Sequence, residues 1–75
     1  MSKATRFSRR TFGRAVRAER ERIGLSQEAF AERASLHRTY ISSIELGKVS
    51  DGIDVANSLA IGLRIKLSEL IRRAE

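Results

Sequence analysis

The stretch that decides the fold is LSQEAFAERASLHRTYISSIELGK, residues 25–48. Its apolar positions at helical spacing are Phe30, Ala34, Ile41 and Ile44. This spacing predicts two short amphipathic helices joined by a tight turn, with Leu36 at the corner. Helices joined in this way cross at about 90 to 120°, and the small Ala31 suits their close approach. The stretch therefore predicts a helix-turn-helix motif over about residues 27–46.

Polar side chains mark the starts of both predicted helices. Ser26 is a natural N-cap of the first, because its hydroxyl can accept a hydrogen bond from a backbone N–H two or three residues on. Gln27 is then left at the helix N-terminus with its donors facing outward. The second helix opens with Arg38 and Thr39, which can hydrogen-bond to the edges of bases. This combination is typical of a motif that reads DNA.

These residues resemble the Cro/repressor (XRE-like) helix-turn-helix proteins of phages and bacteria. The tail IDVANSLAIGLRIKLSEL, residues 53–70, continues the family pattern without a gap. Within the family, the segment SLHRTYISSIE and the short chain look most like the controller proteins of restriction-modification systems, which are small dimeric regulators. The resemblance implies a phage-repressor-like DNA-binding domain.

The resemblance also implies which positions contact DNA. The family's base-reading side chains lie in the first turns of the second helix, which here are Arg38, Thr39 and Ser43, with Tyr40 and Ser42 as further candidates. Phosphate contacts fall to Gln27 and Lys48, and to the hydroxyl of Ser42 or Ser43. We expect Arg38 to bind guanine O6 and N7 together, which is worth about 1 to 3 kcal/mol of discrimination. For Tyr40, packing on the domain and reaching the DNA backbone stay open as alternatives.

Three positions depart from the family pattern. Ser35 occupies a turn position where glycine is usual, so we expect it to hold a left-handed conformation at a cost of about 1 kcal/mol. His37 replaces the usual Ser, Thr or Asp cap of the second helix. Arg64 stands where a helix-terminating glycine is common. Each departure weakens a local signal, but none breaks the match.

The excess positive charge of the chain lies in its first 22 residues. They hold eight basic and two acidic side chains, whereas the rest of the chain holds seven of each. This asymmetry indicates a polyanionic partner. We expect residues 1–7 to be a flexible basic tail and a helix to run from Ser8 or Thr11 to about Arg22, with Arg14 and Arg17 facing DNA phosphates. A solvated arginine face and a mitochondrial transit peptide are the alternatives.

The C-terminal part predicts two more helices, over about residues 53–63 and 67–73. Ile53, Ala56, Ala60 and Leu63 fall on one face and are expected in the core. A domain over residues 8–75 is too small to bury all the remaining apolar residues. The expected dimer contacts are therefore Ile61, Ile65, Leu70 and Ile71, on a surface spanning about residues 53–73. Scattered surface apolar residues are the alternative.

Composition narrows the class of fold and of function. The absence of proline and the scarcity of β-branched runs favour an all-α protein, here a compact five-helix bundle. With no cysteine and one histidine, the sequence offers no metal-ligand set, and we expect neither a metal nor a cofactor. The serines lack a base within helical reach, so we expect no enzyme activity. The sequence has no run of about 18 apolar residues, so we expect neither a membrane span nor a membrane partner. We expect a cytoplasmic protein of bacteria or phages.

The leading hypothesis is a sequence-specific transcriptional regulator that binds a palindromic operator as a homodimer through the major groove. Bound beside or over a promoter, such a protein can recruit or block RNA polymerase, so activation and repression both stay open. An antitoxin-like or other protein-interaction module, with the motif as a scaffold, is the alternative. Packaging of nucleic acid by charge alone is a third possibility, and it predicts equal affinity for any duplex.

Overall fold

Five α helices make up most of the computed structural model, which describes residues 7–49 and 52–75. They are α1 (Arg9–Arg22), α2 (Gln27–Ala34), α3 (Arg38–Glu45), α4 (Ile53–Leu63) and α5 (Leu67–Arg73). The described residues contain no strand. The predicted all-α five-helix bundle is confirmed. The proposed N-terminal tail lies outside the described residues except for Phe7, whose ring centroid is 6.0 Å from that of Phe12.

Local sequence fixes both ends of α1. The backbone N–H of Thr11 donates to Ser8 Oγ at 3.2 Å, and the N–H of Ser8 donates to Thr11 Oγ1 at 2.8 Å. This reciprocal pair satisfies two backbone donors that the first turn would otherwise leave free. At the other end, Gly24 has φ +77°, a conformation that stops the helix. The helix predicted from Ser8 to about Arg22 is therefore confirmed.

The turn between α2 and α3 has the predicted strained residue. Ser35 lies in the left-handed region with φ 58° and ψ 42°. Before α2, the N–H of Ala29 donates to Ser26 Oγ at 3.0 Å, as expected of an N-cap. His37 precedes α3 without a side-chain capping hydrogen bond. α3 therefore begins without the side-chain cap that α1 and α2 have.

The core lies between α2, α3 and α4 and is closed by α1 and α5. The largest fully buried side chains are Phe30, Ile41, Ile44, Leu59, Leu70 and Val16. Two C-terminal predictions are wrong. Leu70, expected on the dimer surface, is 0% exposed because α5 packs against α1 and α4. Ile53, expected in the core, is 70% exposed at the first residue of α4.

A glycine allows α1 and α3 to pack in close contact. A Cβ atom built on Gly13 would lie 2.2 Å from the carbonyl oxygen of Ile44 and 3.0 Å from that of Glu45. Both neighbours are backbone atoms, so no side-chain movement could relieve the overlap. Glycine at this position therefore determines how deeply α3 lies against α1, and with it the position of the helix that carries the candidate DNA contacts.

Candidate nucleic-acid interface

The first turn of α3 presents polar side chains to solvent. Arg38 and Thr39, its first two residues, are exposed. With Gln27 from the start of α2 and Ser42 one turn further along α3, they line an open pocket of about 180 Å³. The structure thus brings together four of the predicted DNA-contacting residues, from two different helices. All four carry hydrogen-bond donors, as contact with phosphates and bases requires.

The other predicted contact residues differ in how accessible they are. Lys48 and Arg14 are exposed, whereas Ser43 and Tyr40 are half-buried, and Tyr40 packs against the core. Arg17 donates from Nε to Glu21 Oε2 at 3.1 Å in an exposed pair. For Arg17 to bind a phosphate, this pair must be exchanged for the phosphate. The packing of Tyr40 accords with the first of its two predicted roles.

A buried ion pair lies behind this surface and joins α1 to α3. The guanidinium of Arg20 donates from Nε to Glu45 Oε2 at 2.6 Å and from Nη2 to Glu45 Oε1 at 3.0 Å. The side chains are 10% and 3% exposed. Arg20 Nη1 also donates to the carbonyl oxygen of Leu25 at 2.8 Å. The hydrogen bonds to Glu45 raise the pKa of Arg20 above its ordinary value although burial opposes this.

The same carboxylate fixes a residue of the pocket. Gln27 Nε2 donates to Glu45 Oε1 at 3.0 Å. The amide of Gln27 is therefore held in one orientation by a carboxylate that is itself held by Arg20. A carboxylate that faced DNA would be repelled, and the pair with Arg20 keeps the Glu45 side chain buried. The bond between Gln27 and Glu45 could not be predicted from the sequence, because no local pattern connects positions 27 and 45.

The sequence of this chain matches known helix-turn-helix proteins. A protein-family model described as helix-turn-helix matches residues 16–70, which is most of the chain. The chain belongs to the XRE-like helix-turn-helix family. It is also 45% identical over 56 residues to the control protein C.MunI of a Mycoplasma species, an alignment that spans 75% of this chain and 76% of that protein.

Solved structures of restriction-modification controller proteins have the same fold as this chain. The restriction-modification controller protein C.AhdI from Aeromonas hydrophila superposes with a TM-score of 0.80 at 34% identity, covering 83% of this chain and 94% of that one. The wild-type restriction-modification controller protein C.Esp1396I has a TM-score of 0.78 at 25% identity, covering 88% of each chain. As a member of this XRE-like family of regulatory proteins, which are not enzymes, the chain is a DNA-binding transcription regulator.

The residues predicted to form the dimer contact of this XRE-like protein differ in how exposed their side chains are. Ile61 is 62% exposed and Ile65 and Ile71 are half-buried, whereas Leu70 belongs to the core. The exposure of Ile53 was not predicted from the sequence. The role of Gly13 was not predicted either, although a glycine inside an amphipathic helix costs about 1 kcal/mol relative to alanine and so points to a packing reason.

Residues 7–49 and 52–75 contain no group of three or more His, Cys, Asp or Glu side chains that could hold a metal ion. Within the same ranges, none of the helices is both long enough and apolar enough to span a bilayer.

Proposed function

We propose that this protein binds a palindromic operator as a homodimer, with α3 of each copy in a major groove. The observation that carries the proposal is the solvent-open pocket at the start of α3, where Gln27, Arg38, Thr39 and Ser42 meet. Two copies related by a two-fold axis would place their α3 helices in successive major grooves about 34 Å apart. The unit that does so is the domain over residues 8–75.

Within each half-site we assign separate roles to the side chains. Arg38 binds a guanine through O6 and N7, and Thr39 contacts a thymine methyl or donates a hydrogen bond. Ser42, Ser43 and Tyr40 are further base contacts. Gln27, Lys48, Arg14 and Arg17 bind phosphates, which fixes the position of α3 along the duplex without reading sequence.

We further propose that the regulated genes belong to a restriction-modification system. The similarity to the control protein C.MunI and to the controller protein C.AhdI supports this role. At such a promoter the protein recruits RNA polymerase from one site and blocks it from another, so it both activates and represses. A protein with this task acts on DNA in the cytoplasm.

Selection of bound sequences from random duplex DNA, combined with sedimentation of the complex, tests the proposal. We expect a palindromic consensus bound by two copies. Arg38→Ala should relax the preference at one base pair of each half-site and lose about 1 to 3 kcal/mol of discrimination there. Arg72→Ala is the matched control, because it removes an equal charge from an exposed side chain of α5, and it should leave the consensus unchanged.

Other outcomes would contradict these assignments. An unchanged consensus for Arg38→Ala would mean that Arg38 does not read a base. No enrichment by the wild-type protein, with binding lost steeply as salt rises, would indicate packaging by charge alone. The exposed apolar side chains of Ile53 and Ile61 make an antitoxin-like interaction module the second candidate function. That candidate predicts a monomer that assembles only when a different protein is added.

A further inference from the structure

The arginines of α1 form two groups that differ in their ion pairs. Each arginine in the C-terminal half of the helix pairs with a glutamate, and these are Arg17, Arg20 and Arg22. The arginines in the N-terminal half are exposed and, within residues 7–49 and 52–75, form no ion pair; these are Arg9, Arg10 and Arg14. The N-terminal group can therefore bind an external anion without giving up a partner.

Arg10 lies beside the end of α3, the helix that carries the candidate DNA contacts. A Cβ atom built on Gly47, two residues after α3, would be 2.9 Å from the Cα of Arg10 and 3.4 Å from its Cβ. The two residues are thus in direct contact. The next residue, Lys48, is exposed. Arg14 is on the same face of α1 as Arg10, because residues four apart on a helix are neighbours. Arg10, Arg14 and Lys48 together are called the basic strip.

We infer that Arg10 binds a phosphate of the operator, on the strand opposite to the one that Gln27 binds. The inference rests on the proposed binding of α3 in a major groove and specifies how the end of that helix is held. Gln27 lies beside the start of α3, and Arg10 lies beside its end.

The length of α3 assigns the two residues to different strands. With 8 residues, the helix is about 12 Å long at about 1.5 Å per residue. The major groove of B-DNA is about 12 Å wide, and one sugar-phosphate strand borders it on each side. Residues beside opposite ends of α3 therefore lie near opposite borders of the groove. Gln27 and Arg10 then hold α3 from both sides.

The basic strip fits duplex DNA better than it fits an acidic protein. It lies beside the helix that enters the groove, so the phosphates reach it without any change in the fold. A guanidinium can donate two parallel hydrogen bonds to one phosphate. Arg10 gives up no ion pair in doing so, whereas Arg17 must exchange its pair with Glu21. An acidic protein bound here would have to compete with DNA for the same side chains.

The neighbouring residue supplies a matched control. Arg9 is exposed like Arg10, but it lines the cleft that Phe12 and Ile71 also line. Successive residues of a helix are about 100° apart around its axis, at 3.6 residues per turn. Arg9 therefore faces away from α3, whereas Arg10 contacts Gly47. Removing the same charge at these two positions separates a phosphate contact from the general effect of net charge.

Salt titration of DNA binding tests the inference, with the selected palindromic duplex and a scrambled duplex as probes. Each phosphate contact contributes about 0.9 to the slope of log K against log salt concentration. Arg10→Gln should therefore lower the slope by about 1.8 for a dimer, which is about a sixtyfold loss of affinity at about 0.1 M salt. The loss should be the same for both duplexes and should vanish near about 1 M salt. Arg9→Gln should leave the slope unchanged.

Methylphosphonate substitution identifies the strand. Each phosphate of the selected duplex is replaced in turn by a neutral methylphosphonate, and the affinity of the wild type is measured. We expect losses on both strands that border the groove. In Arg10→Gln, one of these positions should lose its effect, because the contact is already absent. In Gln27→Ala, the position that loses its effect should lie on the other strand.

The stability of Arg10→Gln separates a DNA contact from a structural role. Arg10 lies in the first turn of α1, where a positive charge opposes the helix dipole. The urea midpoint of Arg10→Gln should therefore equal that of the wild type or lie slightly above it. A lower midpoint with an unchanged salt slope would assign Arg10 to the fold and overturn the inference.

The remaining outcomes distinguish this inference from the proposed function. If the wild type selects a palindrome but Arg10→Gln leaves the salt slope unchanged, or lowers it no more than Arg9→Gln does, Arg10 binds no phosphate and the proposed function stands. If Arg10→Gln and Gln27→Ala lose their effects on the same strand, the assignment to opposite strands is wrong. If the wild type prefers no duplex over another, the proposed function fails, and this inference fails with it.

Discussion

Replacing Glu45 with glutamine removes the charge that compensates a buried arginine between α1 and α3. Glutamine keeps the size of the side chain but offers one acceptor oxygen, and it turns an amide N–H₂ toward the Arg20 guanidinium or toward Gln27. Arg20, 10% exposed, would then retain its bond to the Leu25 carbonyl at 2.8 Å and a contact to Glu21 at 3.9 Å. Its charge would be largely uncompensated in a poorly solvated position.

The size of the effect follows from this environment. Removing one partner of a buried ion pair costs about 3 to 5 kcal/mol, and the contacts that Arg20 retains place Glu45→Gln near the lower value, about 3 kcal/mol. A 75-residue chain has about 4 to 11 kcal/mol of stability in total, at 0.05 to 0.15 kcal/mol per residue. The melting temperature should therefore fall by about 12 to 24 °C.

Thermal and urea unfolding followed by circular dichroism measures the loss. Arg17→Gln is the control, because it breaks the pair with Glu21, in which both side chains are more than half exposed, and leaves the contacts of Arg20 in place. It should cost no more than about 1 kcal/mol. Replacing both buried partners, Arg20→Met with Glu45→Leu, should recover most of the loss, since no buried charge then remains. If the free energy of unfolding of Glu45→Gln lies within about 1 kcal/mol of the wild-type value, the buried pair is not what holds α1 to α3.

The same double variant separates stability from DNA binding. It lacks the carboxylate that accepts from Gln27 Nε2. Below its melting temperature it should therefore be folded and yet bind the operator more weakly than the wild type does. Equal affinity would show that the orientation of Gln27 does not matter for binding.

Two glycine substitutions test the backbone geometry that positions α3. Ser35→Gly should stabilise the protein by about 1 kcal/mol, because Ser35 has φ 58° and glycine adopts that conformation without steric cost; an unchanged urea midpoint would contradict this. Gly13→Ala should destabilise by about 1 to 3 kcal/mol or more, because its Cβ would lie 2.2 Å from the carbonyl oxygen of Ile44. Stabilisation by Gly13→Ala, as helix propensity alone predicts, would mean that α1 and α3 can separate without cost.

Much of the fold follows from local sequence, because helix ends and turns depend on neighbouring residues. Ser8 and Ser26 cap the helices that follow them, and Gly24 and Gly47 end helices with positive φ. Even the left-handed conformation of Ser35 could be predicted, since the motif requires a positive φ at that place whichever residue occupies it.

The candidate site was only partly accessible to the same reasoning. The position of Arg38 and Thr39 at the start of α3 determines that their side chains are exposed, so they could be named from the pattern. The bond between Gln27 and Glu45 joins residues 18 positions apart. The bond forms because α2 and α3 lie close enough at their crossing. The distance between them depends on how closely α3 packs against Gly13 on α1.

What the sequence alone determined is the five helices, their ends, the helix-turn-helix and the candidate face for contact with DNA. Only the tertiary structure decided which apolar residues are covered. Periodicity groups residues on a helix face, but it does not say which neighbouring helix lies against that face or how far along the contact extends. Leu70 is buried because α5 packs against both α1 and α4. Ile53 is exposed because α2 contacts α4 near Gly62, at its opposite end, and leaves the first turn uncovered.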